Sequence, residues 1–280
     1  MNPALHAQLA CLWEATARKV GNVHPQRDFA DLRYVDFLLS AAAIGPAFAK
    51  APNRPVGEFI LEVIEATRRV VRTNTNLGIV LLLAPLASVP ASQPLAAGLE
   101  QILSNLTVAD SRNVFAAIRL ACPGGLGEVP REDVHQQPTL PLREVMALAA
   151  DRDLVARQYM NGFREVLHVG VPRLRDHLAA GEGLEDAIIL THLHFLAQYP
   201  DSLIARKHGL DVAKEATRRA RAVLELAIRN PQSAIRNSLD AWLCDGRNPG
   251  TSADLVTACL FVALRERIIT LPLDVPWSRG

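Results

Sequence analysis

Apolar residues recur every three to four positions along most of the chain, with polar residues between them. Leu5, Leu9, Leu12 and Val20 form one such face, and the first helix is predicted to end at Gly21. The same period predicts helices over residues 34–49, 56–71, 93–103, 110–120, 153–169, 172–180, 184–198, 211–229, 231–243 and 251–268. Leu77 to Ala87 is apolar on every side, which is typical of a buried central helix.

The alternation of apolar and polar residues that is typical of a strand appears only over short segments. The pattern therefore predicts an all-α, multi-helix bundle. Residues 128–141 carry three prolines and little periodicity. They read as a long surface loop rather than a domain linker, because helices of the same kind resume at Leu142. We therefore expect residues 1–280 to form a single domain.

Composition supports the helical interpretation and argues against nucleic-acid and membrane partners. Hydrophobic residues make up 49% of the 280 positions but aromatics only 5%, so Ala, Leu, Val and Ile dominate. The formal charge is +1, without a basic excess that would favour nucleic acid. No secretory signal and no apolar run long enough for a membrane span is visible, so we expect a cytoplasmic protein with no membrane partner.

Most familiar chemical motifs are absent. The four cysteines lie far apart, which favours free buried thiols over a zinc site or disulfides. The turn from Pro123 to Gly127 follows a predicted helix, so it indicates a helix stop rather than a dinucleotide fingerprint. His192 and His194 would point about 200° apart on a helix, which favours one buried and one exposed histidine over a metal site.

Several polar breaks between the helices are dense in Asn, Asp, Thr, Ser and Gly. A helix N-terminus presents unpaired N–H groups that can bind phosphate. Three acids in these breaks, Asp31, Asp201 and Asp254, have the oxygen chemistry that Mg²⁺ prefers. For any one break taken alone, simple helix capping by these side chains is the favoured alternative.

Together the breaks resemble the triphosphoribosyl-dephospho-CoA synthase family. Its KPGLVD-like loop, Asp-Met pair, NTHKG loop, DTNL segment and SPGGSADLL segment have counterparts in order along the chain. These counterparts are Lys19 to His24, Asp31-Leu32, Asn74 to Gly78, Asp201 to Ile204 with Lys207 and Gly209, and Asn248 to Leu255. The family is all-α, so the resemblance agrees with the helical periodicity.

The resemblance implies a pentosyltransferase that uses ATP and Mg²⁺, transfers a triphosphoribosyl group to dephospho-CoA and releases adenine. It implies polar loops that form one nucleotide-binding cleft. It assigns Asp31, Asp201 and Asp254 as catalytic and metal-binding carboxylates. The implied nucleotide and phosphate contacts are Lys19, Asn22, His24, Asn74, Thr75, Asn76, Gly78, Lys207, Gly250 and Ser252.

The loop from Asn74 to Gly78 departs from the family pattern. Asn76 and Leu77 stand where the family has His and Lys, so a cationic pair is replaced by an amide and an aliphatic side chain. This departure motivates two alternatives: a ribosyl-phosphate transferase in another cofactor pathway, such as tetrahydromethanopterin biosynthesis, or a non-catalytic nucleotide-binding protein. Small-molecule substrates are the expected partners in each case, and a homodimer is left open.

Overall fold

The computed structural model describes residues 2–51, 54–125, 127, 129–227, 234–243 and 245–278. Within them the chain is all-α, as predicted. Its helices are α1 (Pro3–Thr16), α2 (Tyr34–Phe48), α3 (Val56–Arg68), α4 (Leu77–Ser88), α5 (Leu95–Ser104), α6 (Val108–Ala121), α7 (Leu142–Ala147), α8 (Leu154–Asn161), α9 (Val171–Ala179), α10 (Leu184–Gln198), α11 (Ser202–His208), α12 (Leu210–Ala227), α13 (Ala234–Leu243) and α14 (Gly250–Arg265). A π-helical turn, Val166–Gly170, leads into α9.

Periodicity located most of these elements, with three corrections. The first helix ends at Thr16 rather than Gly21, and Lys19 folds back to bond the carbonyl oxygens of Glu14 and Ala17. The predicted helix over residues 153–169 is interrupted after Asn161, where Gly162 adopts a left-handed conformation. The seven-residue helix α11 lies where we expected only a polar break. Residues 228–233, where the predicted helix 211–229 ends and the predicted helix 231–243 begins, lie outside the described residues.

Helices α4 and α14 form the centre of the main hydrophobic core and pack against each other. Each is buried on nearly every side, as the apolar run from Leu77 predicted. The exceptions are informative: Gly78 is the single incompletely buried residue of α4, and Asp254 interrupts an otherwise buried run in α14. Helices α1, α3 and α8 pack around this central pair. A second apolar cluster joins α10 to α12.

Two prolines lie inside helices without ending them. A helical proline cannot donate to the carbonyl oxygen four residues earlier. The freed oxygen of Leu81, four residues before Pro85, accepts the buried Tyr159 hydroxyl at 2.6 Å. The oxygen of Ala42, four residues before Pro46, accepts the Gln8 side-chain amide at 3.2 Å. Each proline is therefore compensated by a side chain from another helix.

The cysteine and histidine predictions are partly met. Cys11 and Cys259 are free and buried, but Cys122 is exposed because it caps the C-terminus of α6 in a left-handed conformation. Cys244 lies outside the described residues. His192 is fully buried and His194 half-buried.

Among the described residues, no helix is both long and apolar enough to cross a membrane. The single domain and the homodimer stay predictions.

Candidate active site

A cavity of about 1030 Å³ opens where the polar loops meet the N-terminal ends of α4 and α14. Helices α6, α7 and α8 supply an apolar wall that includes Val114, Leu142 and Met146. Loop residues and α11 supply polar lining residues, among them Asn74, Arg131 and Lys207. The cavity therefore combines the chemistry needed for a polar nucleotide with an apolar surface for a bulkier substrate.

The structure brings together nine of the thirteen predicted site residues. Those that line the cavity are Asn22, Asp31, Asn74, Thr75, Asn76, Gly78, Lys207, Gly250 and Asp254. Lys19, His24, Asp201 and Ser252 do not line it. Residues from four separate breaks thus converge on one cavity, which helix capping at each break does not require.

The closest approach in the site joins Gly78 of α4 to Asp254 of α14. A Cβ atom built at Gly78 would lie 2.0 Å from Asp254 Oδ2, far inside van der Waals contact. Glycine is therefore required here so that the carboxylate can lie against the first turn of α4. The N-terminal end of α4 carries a partial positive charge, which favours an anionic group at this position.

Asp254 differs from Asp201 in that the described residues of the fold supply it with no partner. No hydrogen bond or ion pair to it occurs within the described part of the chain. Burial raises the pKa of Asp254 well above its ordinary value, and the negative charge of Glu14 raises it further. A carboxylate with a raised pKa in a cavity is a good candidate for proton transfer near neutral pH.

Asp201 has an entirely structural set of contacts. Its Oδ1 accepts from the backbone N–H groups of Leu203 and Ile204, at 3.0 and 3.2 Å, and so caps α11. Its Oδ2 accepts from the Ser252 backbone N–H at 2.7 Å and from the Ser252 hydroxyl at 2.8 Å. Asp201 and Ser252 thus hold α11 to the start of α14, and their contact with substrate or metal stays a prediction.

Two further predicted contacts are also engaged elsewhere. Lys19 is 0% exposed and forms an ion pair with Glu14, with 2.9 Å between Lys19 Nζ and Glu14 Oε1. His24 is buried in the loop before α2, where its Nδ1 accepts from the Gln26 backbone N–H at 3.3 Å. Burial lowers the pKa of His24 from its ordinary value. Neither side chain is placed to bind phosphate in the cavity.

The divergent loop from Asn74 to Gly78 is held by its own polar side chains. Asn74 Oδ1 accepts from the Leu77 N–H at 3.1 Å. The Thr75 and Ser40 hydroxyls lie 2.6 Å apart, and the Asn76 amide donates to the Thr67 hydroxyl at 2.9 Å. Leu77 is buried. The two residues that replace the family's His and Lys therefore stabilise the loop and add no charge to the cavity.

Cations line the cavity without acidic partners. Arg72, Arg131 and Lys207 all face it, and no carboxylate pairs with them among the described residues. By contrast, Arg206 pairs with Asp153, the residue that caps α8, at 2.8 Å. Cationic groups left unpaired around a cavity attract a polyanion such as a triphosphate.

The three predicted metal-binding aspartates do not form one cluster. No group of three His, Cys, Asp or Glu side chains in the described ranges is arranged to hold a metal ion. Asp31 is exposed, lines the cavity and has no hydrogen-bond or ion-pair partner in the described part of the chain. Mg²⁺ in nucleotide sites commonly uses one or two carboxylates together with substrate phosphates, so Asp31 fits such an ion.

Sequence reasoning did not identify Glu14, Arg72 or Arg131 as site residues. Glu14 lies in line with the buried residues Ala7 and Cys11 on the apolar face of α1. A charged residue within an apolar helical stripe is the signal that could have found it. Arg72 and Arg131 lie in loops, and no periodic pattern distinguishes them from solvated surface arginines.

Comparison with known proteins identifies the family of this chain. The family model for ATP:dephospho-CoA triphosphoribosyl transferase (CitG) matches residues 1–271. The chain therefore belongs to that family, and the resemblance carried by the loop motifs is confirmed.

Individual relatives agree with the family match. A protein of Pseudomonas syringae pv. tomato described as a 2-(5''-triphosphoribosyl)-3'-dephosphocoenzyme-A synthase is 28% identical over 132 residues. A protein of the same description from Pseudomonas savastanoi pv. phaseolicola is 29% identical over 132 residues. Each alignment covers 43% of this chain and 45% of the relative, so it spans less than half the length of either protein.

A solved structure extends the agreement to the fold. The crystal structure of an Archaeoglobus fulgidus protein described as a triphosphoribosyl-dephospho-CoA synthase superposes with a TM-score of 0.65 at 28% identity. The match covers 82% of this chain and 98% of that one. The all-α architecture predicted from periodicity is therefore also the architecture of a relative.

Proposed function

We propose that this chain is a pentosyltransferase that moves the triphosphoribosyl group of ATP to a hydroxyl of dephospho-CoA. The acceptor oxygen forms a bond to the ribose anomeric carbon while the bond from that carbon to adenine N9 breaks. The bonding electrons leave with adenine, which takes up a proton, and the acceptor hydroxyl loses its proton to a base. The family match over residues 1–271 supports this class of reaction.

The observation that carries the proposal is the unpartnered Asp254 carboxylate in a cavity that unpaired cations also line. The carboxylate suits the proton transfer, and the cations suit the binding of the triphosphate. The acid can accept the proton of the attacking hydroxyl, and its raised pKa makes it a stronger base than an ordinary aspartate once it is ionised. The cations can hold the triphosphate in place.

The nucleotide's triphosphate is assigned to the cavity cations Arg72, Arg131 and Lys207. The backbone of Gly250 and the loop side chains Asn74 and Thr75 also line the cavity and can contact phosphate or ribose oxygens. Holding the triphosphate fixes the ribose relative to Asp254, and such positioning is a large part of catalysis in group transfer.

Magnesium is the expected companion of the triphosphate. Asp31 would hold it, because this exposed carboxylate lacks a protein partner, whereas burial disfavours the charged form of Asp254. When bound, Mg²⁺ would neutralise part of the phosphate charge. The proton transfer at Asp254 involves this chain's own residues and does not pass through the ion.

Adenine release tests the proposal directly. The protein is incubated with Mg²⁺ and ATP, with and without dephospho-CoA, and adenine is separated by chromatography. We expect adenine only when both substrates are present, together with a product whose mass is that of dephospho-CoA plus triphosphoribose. Stabilisation of the fold by ATP without adenine release from any acceptor would instead identify a nucleotide-binding protein.

A different acceptor is the second candidate, and one observation favours it. Asn76 and Leu77 bring no charge into the cavity where the family pattern has His and Lys. An acceptor that carries less negative charge than dephospho-CoA would not need those cations. The same assay with a ribitol-bearing pterin precursor as acceptor separates the two: faster adenine release with the pterin than with dephospho-CoA supports the alternative.

A further inference from the structure

Glu14 and Lys19 form a buried ion pair in the wall of the cavity. Glu14 is 4% exposed yet lines the cavity, and Lys19 lies behind it with no exposure at all. Lys19 Nζ lies 2.9 Å from Glu14 Oε1 and also donates to the carbonyl oxygens of Glu14 and Ala17. These three acceptors leave the ammonium group no freedom to turn towards a ligand.

The wall still has more acceptors than donors. Lys19 neutralises one carboxylate, whereas Glu14 and Asp254 together supply two, and their mutual repulsion is felt at Asp254. Glu14 Oε2 has no hydrogen-bond partner among the described residues. Asn22 also lines the cavity, and its buried Oδ1 has no donor within the described residues. A buried acceptor without a donor, such as Asn22 Oδ1, is costly, so a ligand with hydroxyl donors or positive charge fits beside these two side chains.

We propose that Glu14 is a second catalytic carboxylate that contacts the donor ribose, and that Lys19 is the residue that positions it. This inference rests on the proposed function. The ribose supplies the hydroxyl donors that Glu14 and Asn22 lack. As the bond to adenine breaks, positive charge develops on the anomeric carbon and the ring oxygen. An ion-paired carboxylate held beside the ribose stabilises that charge without forming a covalent bond, while Asp254 takes the acceptor's proton.

A purely structural ion pair is the alternative. Removing one member of a buried pair destabilises a protein, whereas replacing both with neutral side chains is often tolerated. A comparison of single and double variants therefore separates the two roles, because stability and activity respond differently when both charges are removed.

The experiment measures kcat, KM for ATP and the thermal midpoint for Glu14→Gln, Lys19→Met and the double variant. We expect Glu14→Gln to lower kcat by about 10²-fold with KM for ATP changed less than about threefold, because the lost interaction acts mainly in the transition state. Lys19→Met is expected to lower both kcat and the thermal midpoint. The double variant is expected to recover most of the thermal midpoint but not kcat.

A matched control uses Glu185, which is buried, paired with Arg18 at 2.7 Å and absent from the cavity lining. Glu185→Gln is expected to lower the thermal midpoint and leave kcat unchanged. The pH profile gives a separate readout, on the base: it tests whether Asp254 takes the acceptor's proton next to Glu14. Since Glu14 raises the pKa of Asp254, its removal is expected to shift the acidic limb of kcat/KM to lower pH.

The outcomes separate this inference from the function on which it rests. A double variant that recovers both the thermal midpoint and kcat overturns the catalytic role of Glu14 and leaves the proposed function intact. An unshifted acidic limb in an active Glu14→Gln variant overturns the other part of the inference, that Asp254 takes the acceptor's proton beside Glu14. A wild-type protein that releases no adenine with dephospho-CoA or the pterin acceptor overturns the proposed function, and this inference with it.

Discussion

Asp201, the N-cap of α11, and Asp254, near the start of α14, have opposite surroundings. Asp201 accepts four hydrogen bonds from the chain itself, two at the start of α11 and two from Ser252. Asp254 lies two residues after Ser252, and no hydrogen bond to it occurs in the described ranges. Burial raises the pKa of both. The difference is that the fold supplies hydrogen-bond donors to Asp201, whereas Asp254 is left for a ligand.

This comparison gives a criterion for acids in polar breaks. An aspartate whose lone pairs are all used by backbone N–H groups and a hydroxyl contributes to stability, because its loss leaves buried donors unpaired. An unpartnered aspartate in a cavity costs stability, and such a cost is typical of functional positions. The predictions below test this division, beginning with the largest effect.

The largest expected effect is on the activity of Asp254→Asn. The amide cannot accept the proton of the attacking hydroxyl, so kcat is expected to fall by about 10³-fold, within the range for general-base catalysis. Steady-state adenine release measures this loss. An Asp254→Asn variant with more than a tenth of the wild-type kcat would contradict the role of this carboxylate.

Asp254→Asn is also expected to unfold less readily than the wild-type protein at pH 7. Because the pKa of Asp254 is raised in the folded state, the folded protein binds more protons than the unfolded one between about pH 4 and that raised pKa. Wild-type stability therefore falls as pH rises through this window, and Asp254→Asn removes that loss. Urea unfolding is expected to show the variant more stable at pH 7, with the difference disappearing below about pH 4. A constant difference at both pH values contradicts the raised pKa.

The next largest effect is expected at Gly78, where alanine would place a methyl group on the Asp254 carboxylate. Gly78→Ala is expected to lower kcat by about 10- to 100-fold because the carboxylate must move, and small misplacements in a site are costly. The double variant Gly78→Ala/Asp254→Ala removes the clash. It is expected to recover the thermal midpoint but no activity, since alanine is otherwise favourable in a helix.

Asp201→Asn is expected to lower the free energy of unfolding and to change kcat little. The amide can still cap α11 through its oxygen, but its NH₂ group faces the two donors of Ser252. Unfolding free energy is expected to fall by about 1–3 kcal/mol, with kcat within about threefold of wild type. Ser252→Ala, which removes a single donor, should cost less. A loss of activity as large as that of Asp254→Asn, without loss of stability, would break the comparison.

The smallest effect is expected at Lys207, which α11 carries into the cavity. Lys207→Met is expected to raise KM for ATP about 3- to 10-fold with kcat unchanged, because an exposed cation contributes modest, screened attraction to phosphate. The effect should shrink as salt is added. Lys214→Met, an exposed lysine of α12 away from the cavity, is the control and should leave KM unchanged. Equal effects of both changes would indicate non-specific attraction.

The fold was largely predictable because helical periodicity is a local property of the chain. The apolar run from Leu77 required a buried helix, and α4 is that helix, continuous through Pro85. The failures came where individual side-chain hydrogen bonds, which no periodic pattern marks, change where a helix begins or ends. Lys19 ends the first helix region by folding back on Glu14, and Asp201 stabilises a short α11 that no periodicity marks.

The sequence by itself determined the all-α architecture, the family and the set of polar loops, because periodicity and ordered motifs are written along the chain. Only the tertiary structure decided which polar residues the fold uses internally. The fold joins Asp201 to Ser252 and pairs Lys19 with Glu14, and no sequence pattern marks either contact. Glu14 reaches the site because α1 packs against α4 and α14. Hydrogen-bond satisfaction depends on neighbours in space, and spacing along the chain does not specify them.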